Sequence, residues 1–430
     1  MARRIHTLLL FSGNLDVSSL QGGSATNDKA VWYDGHSSLI EQIADVFVPD
    51  ELLIEETSDH RFVKDKFPAA TRVKIVPPGR TDVSPKPVCV VPSNDTHVYM
   101  FERIMRRADA LRVHVIQEKD ENAKSALDTL GLAYSLSRTK SIRPALHSSL
   151  LIANDWGRQE LYLLSRFSEE RIPSACLQES VVGFNDSSRR MEWCDYPLIQ
   201  GTVTMKHLER NVYYLTGNPR YELLTVEPLP STDSLLINSN FTYGRFNDVR
   251  ERWISDVVQC AGSAKLDYVI SQHPRDQGDL SRYNVHRSSP QTIHSAIRSC
   301  SVVVTRFSSL IHESLAMGRT VVYYNPHNEK MDYDFEPDGI HLIIARNKRE
   351  LLRTLEQFKL DLNHANESDA FYRSYLNRHC GSSDGDASNR VLLSLNTITT
   401  CNTQKCHVGK LKKWKLQVFN VRHRFGSAGL

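Results

Sequence analysis

Short apolar runs rich in valine and isoleucine recur along this chain. Each is closed by a polar turn and followed by a stretch whose apolar positions have helical spacing. From Pro87 the rhythm is regular. PVCVVP (87–92), RVHVIQE (112–118), SSLLIANDW (148–156) and PSACLQES (173–180) read as strands. Between them HVYMFERIMRRADA (97–110), ENAKSALDTLG (121–131) and RQELYLLSRFSEE (158–170) read as helices. This alternation predicts parallel βαβ units in a doubly wound α/β domain.

A second α/β series begins at SLLINSNF (234–241) and passes through the helix NDVRERWISDVVQCAG (247–262). It then reaches Asp267–Pro326: DYVISQHPRD, a polar gap, and SVVVTRFSSLIHESLAMGRTVVYYNP. Between the two series, Gly217-Asn218-Pro219 can only be a turn, and it is expected as the seam and hinge between two domains. GSSDGDASNRVLLSL (381–395) reads as a capped helix start. The expected organisation is an N-terminal extension (1–86), alone or part of the first domain, then α/β domains at 87–216 and 217–395. A tail (396–430) follows. Residues 1–86 are hard to read beyond a first strand in MARRIHTLLLFSG, whose apolar run is too short for an export signal.

Composition narrows the class. The 430 residues are 40% hydrophobic and 24% charged with a net charge of +3, as expected of a soluble protein with two or three domains. No apolar segment approaches the roughly 20 residues of a membrane span. Eight cysteines lack a repeated CxxC, and Cys89 and Cys176 sit within apolar runs. Reduced thiols in a cytoplasmic protein are therefore expected. The last thirty residues carry seven Lys/Arg and no Asp or Glu, with Trp414, Leu416, Val418 and Phe419 interleaved. Residues 405–424 are thus either a solvated tail or a basic segment that lies on an anionic membrane surface. Nothing else in the chain points to nucleic acid.

The chemistry concentrates at strand ends. Ligands of open α/β sheets bind at the carboxyl ends of the strands. Ser308 and Ser309 follow the strand SVVVT and open the helix LIHESLAMG, where backbone N–H groups and hydroxyls meet an anion. Thr305 closes that strand. His273-Pro274 closes the neighbouring strand, and Arg275 adds a cation. Glu313, one turn into the helix, has the acceptor oxygens for ribose hydroxyls. Phosphate donors and a ribose acceptor together describe a nucleotide site.

These motifs resemble the nucleotide-binding half of GT-B-fold glycosyltransferases that make bacterial surface polysaccharides. The similar families are Kdo transferases, sialyl- and polysialyltransferases and CDP-glycerol polymerases, which share HP and S/SS motifs. His273-Pro274 and Ser308-Ser309 match those motifs, and Glu313 in HESLAMGRTVVYYN resembles the ribose-binding acid. TGNPRYELL (216–224), LINSNF (236–241) and DGDASNRV (384–391) resemble the linker, the first strand of the second domain and the stretch before the last helix. The resemblance implies two Rossmann-like domains facing a cleft. It also implies a nucleotide-sugar donor of CMP-Kdo or CMP-sialic acid type and a glycan or lipid-linked acceptor for capsule or lipopolysaccharide. Neither a metal nor another cofactor is implied, and the place is the cytoplasm, at or near the inner membrane face. CDP-glycerol transfer and a UDP-GlcNAc 2-epimerase-like reaction on the same fold are the alternatives.

The resembling families place a catalytic base in the N-terminal domain, often in an acidic motif ending in glycine. Glu179 in QES is the first candidate, although Ser180 stands where the families have glycine. Asp155 in ANDWG is the second, with helix capping as its alternative role. Asp34 in WYDGHSS is the third. Asp332-Tyr333-Asp334 spells a metal-binding DxD, but in a GT-B-like chain no metal is expected there. Cys401, Cys406 and His407 lack a second ligand pair for zinc.

Overall fold

The structure is a computed structural model. It describes residues 2–11, 29–32, 37–55, 60–76, 86–108, 111–116, 121–179, 191–206, 208, 212–242, 244, 246–330, 333–358, 368–381 and 384–400. The chain divides into two compact units, Met1–Glu222 with Asn377–Leu430, and Leu223–Leu376.

In the first unit the strands are β1 (Arg3–Phe11), β2 (Lys29–Trp32), β3 (Phe47–Glu55), β4 (Arg72–Val76), β5 (Val88–Val90) and β6 (Leu111–Ile116), followed by β7 (Ser135–Ser137), β8 (Leu150–Ile152), β9 (Ser174–Leu177), β10 (Tyr196–Ile199) and β11 (Val212–Leu215). Its helices are α1 (Ser37–Val46), α2 (His60–Lys66), α3 (Asp95–Arg107), α4 (Glu121–Leu130), α5 (Arg158–Glu169) and α6 (Thr202–Met205). All eleven strands form one sheet, ordered β4-β3-β1-β2-β11-β10-β9-β8-β5-β6-β7, with parallel pairings. The run β7-β6-β5-β8-β9-β10 has the doubly wound 3-2-1-4-5-6 order. The strands of residues 1–86 extend that sheet, because Val31 of β2 pairs with Tyr213 of β11. Helices cover both faces, so β5, β8 and β9 are buried along their whole length. Val90 faces a core with Val98, Phe101, Ile104 and Leu127 of α3 and α4. Cys89 and Val91 face the opposite core with Leu163, Leu164 and Phe167 of α5.

In the second unit six parallel strands repeat the same logic on a smaller scale. They are β12 (Ser234–Ser239), β13 (Asp267–Gln272), β14 (Val285–Arg287), β15 (Val302–Thr305), β16 (Thr320–Tyr324) and β17 (Leu342–Ala345). Their order, β14-β13-β12-β15-β16-β17, is again 3-2-1-4-5-6. The helices are α7 (Arg250–Ser263), α8 (Ile293–Arg298), α9 (Leu310–Ala316) and α10 (Lys348–Phe358). The chain leaves this unit within α11 (Ser368–His379). Trp253 of α7 anchors the core and donates its indole N–H to the Tyr324 carbonyl at 3.0 Å.

The expected limits of the second domain, 217 and 395, shift inward to 223 and 376. The last helix, α12 (Ala387–Thr400), belongs to the first unit, where Val391, Leu395 and Ile398 pack into the α3–α4 core. Its N-terminus is held by Glu222, which accepts from Ser388 N at 2.7 Å and pairs with Arg103 of α3 at 2.9 Å. The expected hinge at Gly217-Asn218-Pro219 is instead a locked turn. Gly217 has φ +76° and sits against Gly381, itself at φ +59°. Asn218 is fully buried; its N–H donates to Cys380 O at 2.9 Å and its side chain to Gln178 O at 3.1 Å. Arg390 of α12 donates to Thr216 O at 2.8 Å, to Gly381 O and to Asp384 at 2.6 Å. These partners tie the turn into the first unit, ahead of the boundary at Glu222. Among the described residues all six cysteines are free and buried. No described helix is long and apolar enough to cross a membrane.

Two stability effects follow. A Cβ at residue 217 would overlap the Gly381 carbonyl oxygen in a backbone conformation that L-residues avoid. Gly217→Ala should therefore cost about 3 kcal/mol or more in a denaturant melt; a loss under about 1 kcal/mol would show that the contact relaxes. The second effect is at Asp338, ahead of β17. Burial raises its pKa, but hydrogen bonds from the His341 ring and the Leu342, Ile340 and His341 N–H groups outweigh burial and lower it to about 2. A depressed carboxyl stabilises the fold above its unfolded pKa and loses that contribution as the pH falls from about 4 to about 2. Its side chain is 25% exposed, so the contribution is about 1 kcal/mol. Asp338→Asn should be less stable than wild type near neutrality, with the gap closing below pH 4 in acid melts.

Candidate functional site

The carboxyl ends of β13, β12 and β15 lie side by side at the switch point of the second sheet. Each turn leaving these strands carries a residue singled out from sequence, or one that positions it. Near the end of β12, Asn238 is buried and donates through Nδ2 to Thr305 Oγ1 at 2.8 Å and to Ser308 Oγ at 3.4 Å. After β13, His273 N–H donates to Ser239 O at 2.8 Å, which fixes that turn against β12. Asp276 then ties the turns together. It accepts from Ser239 Oγ at 2.6 Å and Phe241 N at 3.3 Å, and Arg250 at 3.1 Å compensates its buried charge.

The hydrogen-bond directions decide what each group offers. His273 Nδ1 accepts from Arg275 N–H at 3.1 Å, so Nε2 is the proton-bearing nitrogen. Ser308 Oγ accepts from Leu310 N at 3.2 Å as well as from Asn238, so its own proton is left to donate. Ser309 is half-buried beside it, and its side chain makes no capping bond to the helix. The expectation for Thr305 does not hold in this form. It is fully buried and its hydroxyl proton goes to Arg306 O at 2.9 Å, so it supports the turn and does not face a ligand. Pro274 is exposed, and its carbonyl lies 3.4 Å from Arg287 Nη1; Arg275 is half-buried on the same turn. Arg306 is stacked between Phe241 and Phe246 and paired with Glu329 at 2.6 Å, a structural role.

Glu313 does not stand exposed on its helix. It is buried, with Oε2 2.8 Å from His294 Nε2. His294 opens α8 and Glu313 lies in the first turns of α9, which places the pair toward the same carboxyl edge of the sheet. The partly exposed partner, His294, was missed because no local pattern marks a contact nineteen residues away.

On the first sheet the corresponding edge gathers a second group. Glu179 follows β9 and is partly exposed. His97, in the first turn of α3, is fully buried and points Nε2 at Glu179 Oε1 across 3.4 Å. His97 Nδ1 accepts from Ser93 N at 3.1 Å, and Nε2 also lies 3.3 Å from Asn94 Nδ2. Asn94 caps α3 by accepting from His97 N at 3.0 Å. That N-x-x capping pattern was the available signal for His97. Gln178 accepts from Gln200 N at 3.1 Å and Thr204 Oγ1 at 3.0 Å, which anchors Glu179's backbone. Asp155 is neither exposed nor a helix cap. It is fully buried and accepts from Met191, Trp193 and Cys194 N–H at 2.7, 2.6 and 3.1 Å, so it holds the loop entering β10 and cannot serve as a base. Asp34, Ser180, Asp332, Cys401, Cys406, His407 and the basic tail lie outside the described residues.

No family model and no curated protein matches the chain. Solved structures do. One provisionally assigned as a UDP-N-acetylglucosamine 2-epimerase, from Listeria monocytogenes, aligns with TM-score 0.52 at 12% identity over 72% of this chain and 95% of its own. The glycotransferase of kitacinnamycin aligns with TM-score 0.51 at 13% identity over 72% of this chain and 100% of its own. Identities this low speak to the fold alone. With both sheets parallel and in doubly wound order, the chain has a GT-B-like fold of two Rossmann-like α/β domains.

Proposed function

We propose that this chain is a glycosyltransferase that takes a sugar from a nucleotide donor bound by the second unit. One observation carries this reading: two proton donors, His273 Nε2 and Ser308 Oγ, are set by their neighbours at the carboxyl edge of one switch point. Donors held in place before the ligand arrives suit an anion whose charge grows as the leaving phosphate departs. Ser309 and the Arg275 turn supply further contacts, while Asn238, Thr305 and Asp276 keep the donors in position. The Glu313–His294 pair meets the ribose. In the first unit Glu179 takes the proton of the acceptor hydroxyl, and buried His97 orients its carboxylate.

The finer assignment rests on the HP and SS motifs. A CMP-activated acidic sugar of Kdo or sialic-acid type is the preferred donor. The acceptor is a growing surface glycan, free or lipid-linked, as in capsule or lipopolysaccharide, and residues 405–424 meet an anionic membrane at the cytoplasmic face. Protein donors, not a bound metal, stabilise the leaving phosphate. CDP-glycerol is the rival donor. The fold likeness to a protein assigned as a UDP-N-acetylglucosamine 2-epimerase favours a second reading, isomerisation of a nucleotide sugar without an acceptor.

Thermal-shift titration with CMP, CDP, UDP and GDP should single out one base, CMP on the preferred reading. His273→Ala and the double variant Ser308→Ala/Ser309→Ala should each weaken that nucleotide by about 10- to 100-fold while the protein stays folded. Unchanged affinity in both would sink the donor assignment. Glu179→Gln should leave nucleotide affinity intact and lower kcat by about 10²- to 10⁴-fold; a wild-type kcat would remove Glu179 as the base. Product formed from a nucleotide sugar alone would select the epimerase reading.

A further inference from the structure

On the face of the first sheet that packs against α5, three side chains with metal-ligating atoms meet in the core. Cys89 lies in the middle of β5. In the β5–β6 register Cys89 pairs with Arg112, so His114, two residues along β6, points to the same face. His147 enters from the turn ahead of β8, which is tied to β5 by Cys89 N donating to Ser149 O at 2.9 Å. One ligand atom from each of the three residues lies within 4.8 Å of the others. The two imidazoles meet edge to face with centroids 5.4 Å apart.

An apolar core has no use for this arrangement. His147 is 6% exposed, yet its Nδ1 has no hydrogen-bond partner; His114 Nε2 is also buried and unpartnered. Leaving two ring nitrogens unsatisfied beside a buried thiol is costly, and leucine or phenylalanine would fill the space without that cost. The other nitrogen of His114, Nδ1, lies 2.9 Å from Ser137 Oγ. A hydroxyl behind a ligating histidine is the usual outer support that fixes ring orientation. The cluster is separate from the candidate catalytic edge. His147 precedes β8, at the amino end of that strand, whereas Glu179 and His97 follow the carboxyl ends of β9 and β5.

We propose that Cys89 Sγ, His114 Nε2 and His147 Nδ1 bind one divalent transition-metal ion of the zinc class, which cross-links β5, β6 and the turn ahead of β8. Borderline-soft ions take mixed thiolate and imidazole ligands, whereas calcium and magnesium take oxygen. On binding, the Cys89 thiol loses its proton to solvent and its sulfur lone pair enters the metal–sulfur bond; nothing is oxidised or reduced. Bonds of about 2.0–2.1 Å to nitrogen and 2.3 Å to sulfur put tetrahedral ligand atoms about 3.3–3.7 Å apart, so the side chains need to close by about 1 Å.

The test uses the full-length chain, stripped with chelator and titrated with Zn²⁺ and with Co²⁺ as a spectroscopic probe. The expected result is one equivalent of metal per chain, a thiolate-to-cobalt charge-transfer band, and a rise in Tm of about several degrees on saturation with Zn²⁺. Cys89→Ser and His147→Gln should each abolish the band, whereas Cys401→Ser/Cys406→Ser, which removes the thiols of the tail, should keep it. If Cys89→Ser does not fold, His147→Gln decides. A band that survives in His147→Gln, that disappears in the tail variant, or that never forms in wild type overturns the proposal.

Discussion

Gly217 and Gly381 touch backbone to backbone, and that contact closes the first unit. Neither position has room for a Cβ, and both have positive φ, so two separate stretches of chain meet where only glycine fits. Arg390 locks the contact by donating to carbonyls on both stretches, and Asp384 compensates its charge. Glu222 adds a second tie by capping α12 and pairing with Arg103. Through these bonds the last helix is fixed to the sheet that holds Glu179 and His97. The locked turn runs directly into the strand-end network: Asn218 donates to Gln178 O, and Gln178 is the residue before Glu179.

Each sheet gathers its candidate residues toward the carboxyl edge near its switch point, for a common reason. Adjacent crossovers leave in opposite directions there, so the turns splay apart and expose donors that elsewhere would be covered. In the second unit those donors are held by buried polar residues that bond from one turn to the next. Asn238 serves two hydroxyls, and Asp276 joins two turns with Arg250 as its counter-charge. Such a network is stiff because breaking any one bond strands a buried polar atom. Stiffness of this kind fits the proposed role of meeting developing charge without reorganising.

The Cys89–His114–His147 cluster shows a different use of buried polarity. Two ring nitrogens of the cluster, His114 Nε2 and His147 Nδ1, are buried without a protein partner. The proposed metal ion would give both nitrogens a partner. It joins β5, β6 and the turn ahead of β8, in the part of the sheet to which the strands of residues 1–86 are a lateral extension.

Local patterns determined the alternating elements, the two α/β series and the strand-end positions of His273, Ser308 and Glu179. These depend on period and turn chemistry, which act over a few residues and are written in consecutive side chains. The tertiary structure alone decided which of the marked groups face outward. In sequence Thr305 looks like a phosphate contact and Asp155 like a candidate base, yet each is consumed by backbone partners, Asp155 by N–H groups more than thirty residues away. Gly217 looks like a hinge until Gly381 fills the space beside it. Glu313 and His294, Glu179 and His97, and the Cys89 cluster are pairings across strands and helices. Such pairings follow from which elements become neighbours in the sheet, a choice made by burial of whole faces and not by any short stretch of residues.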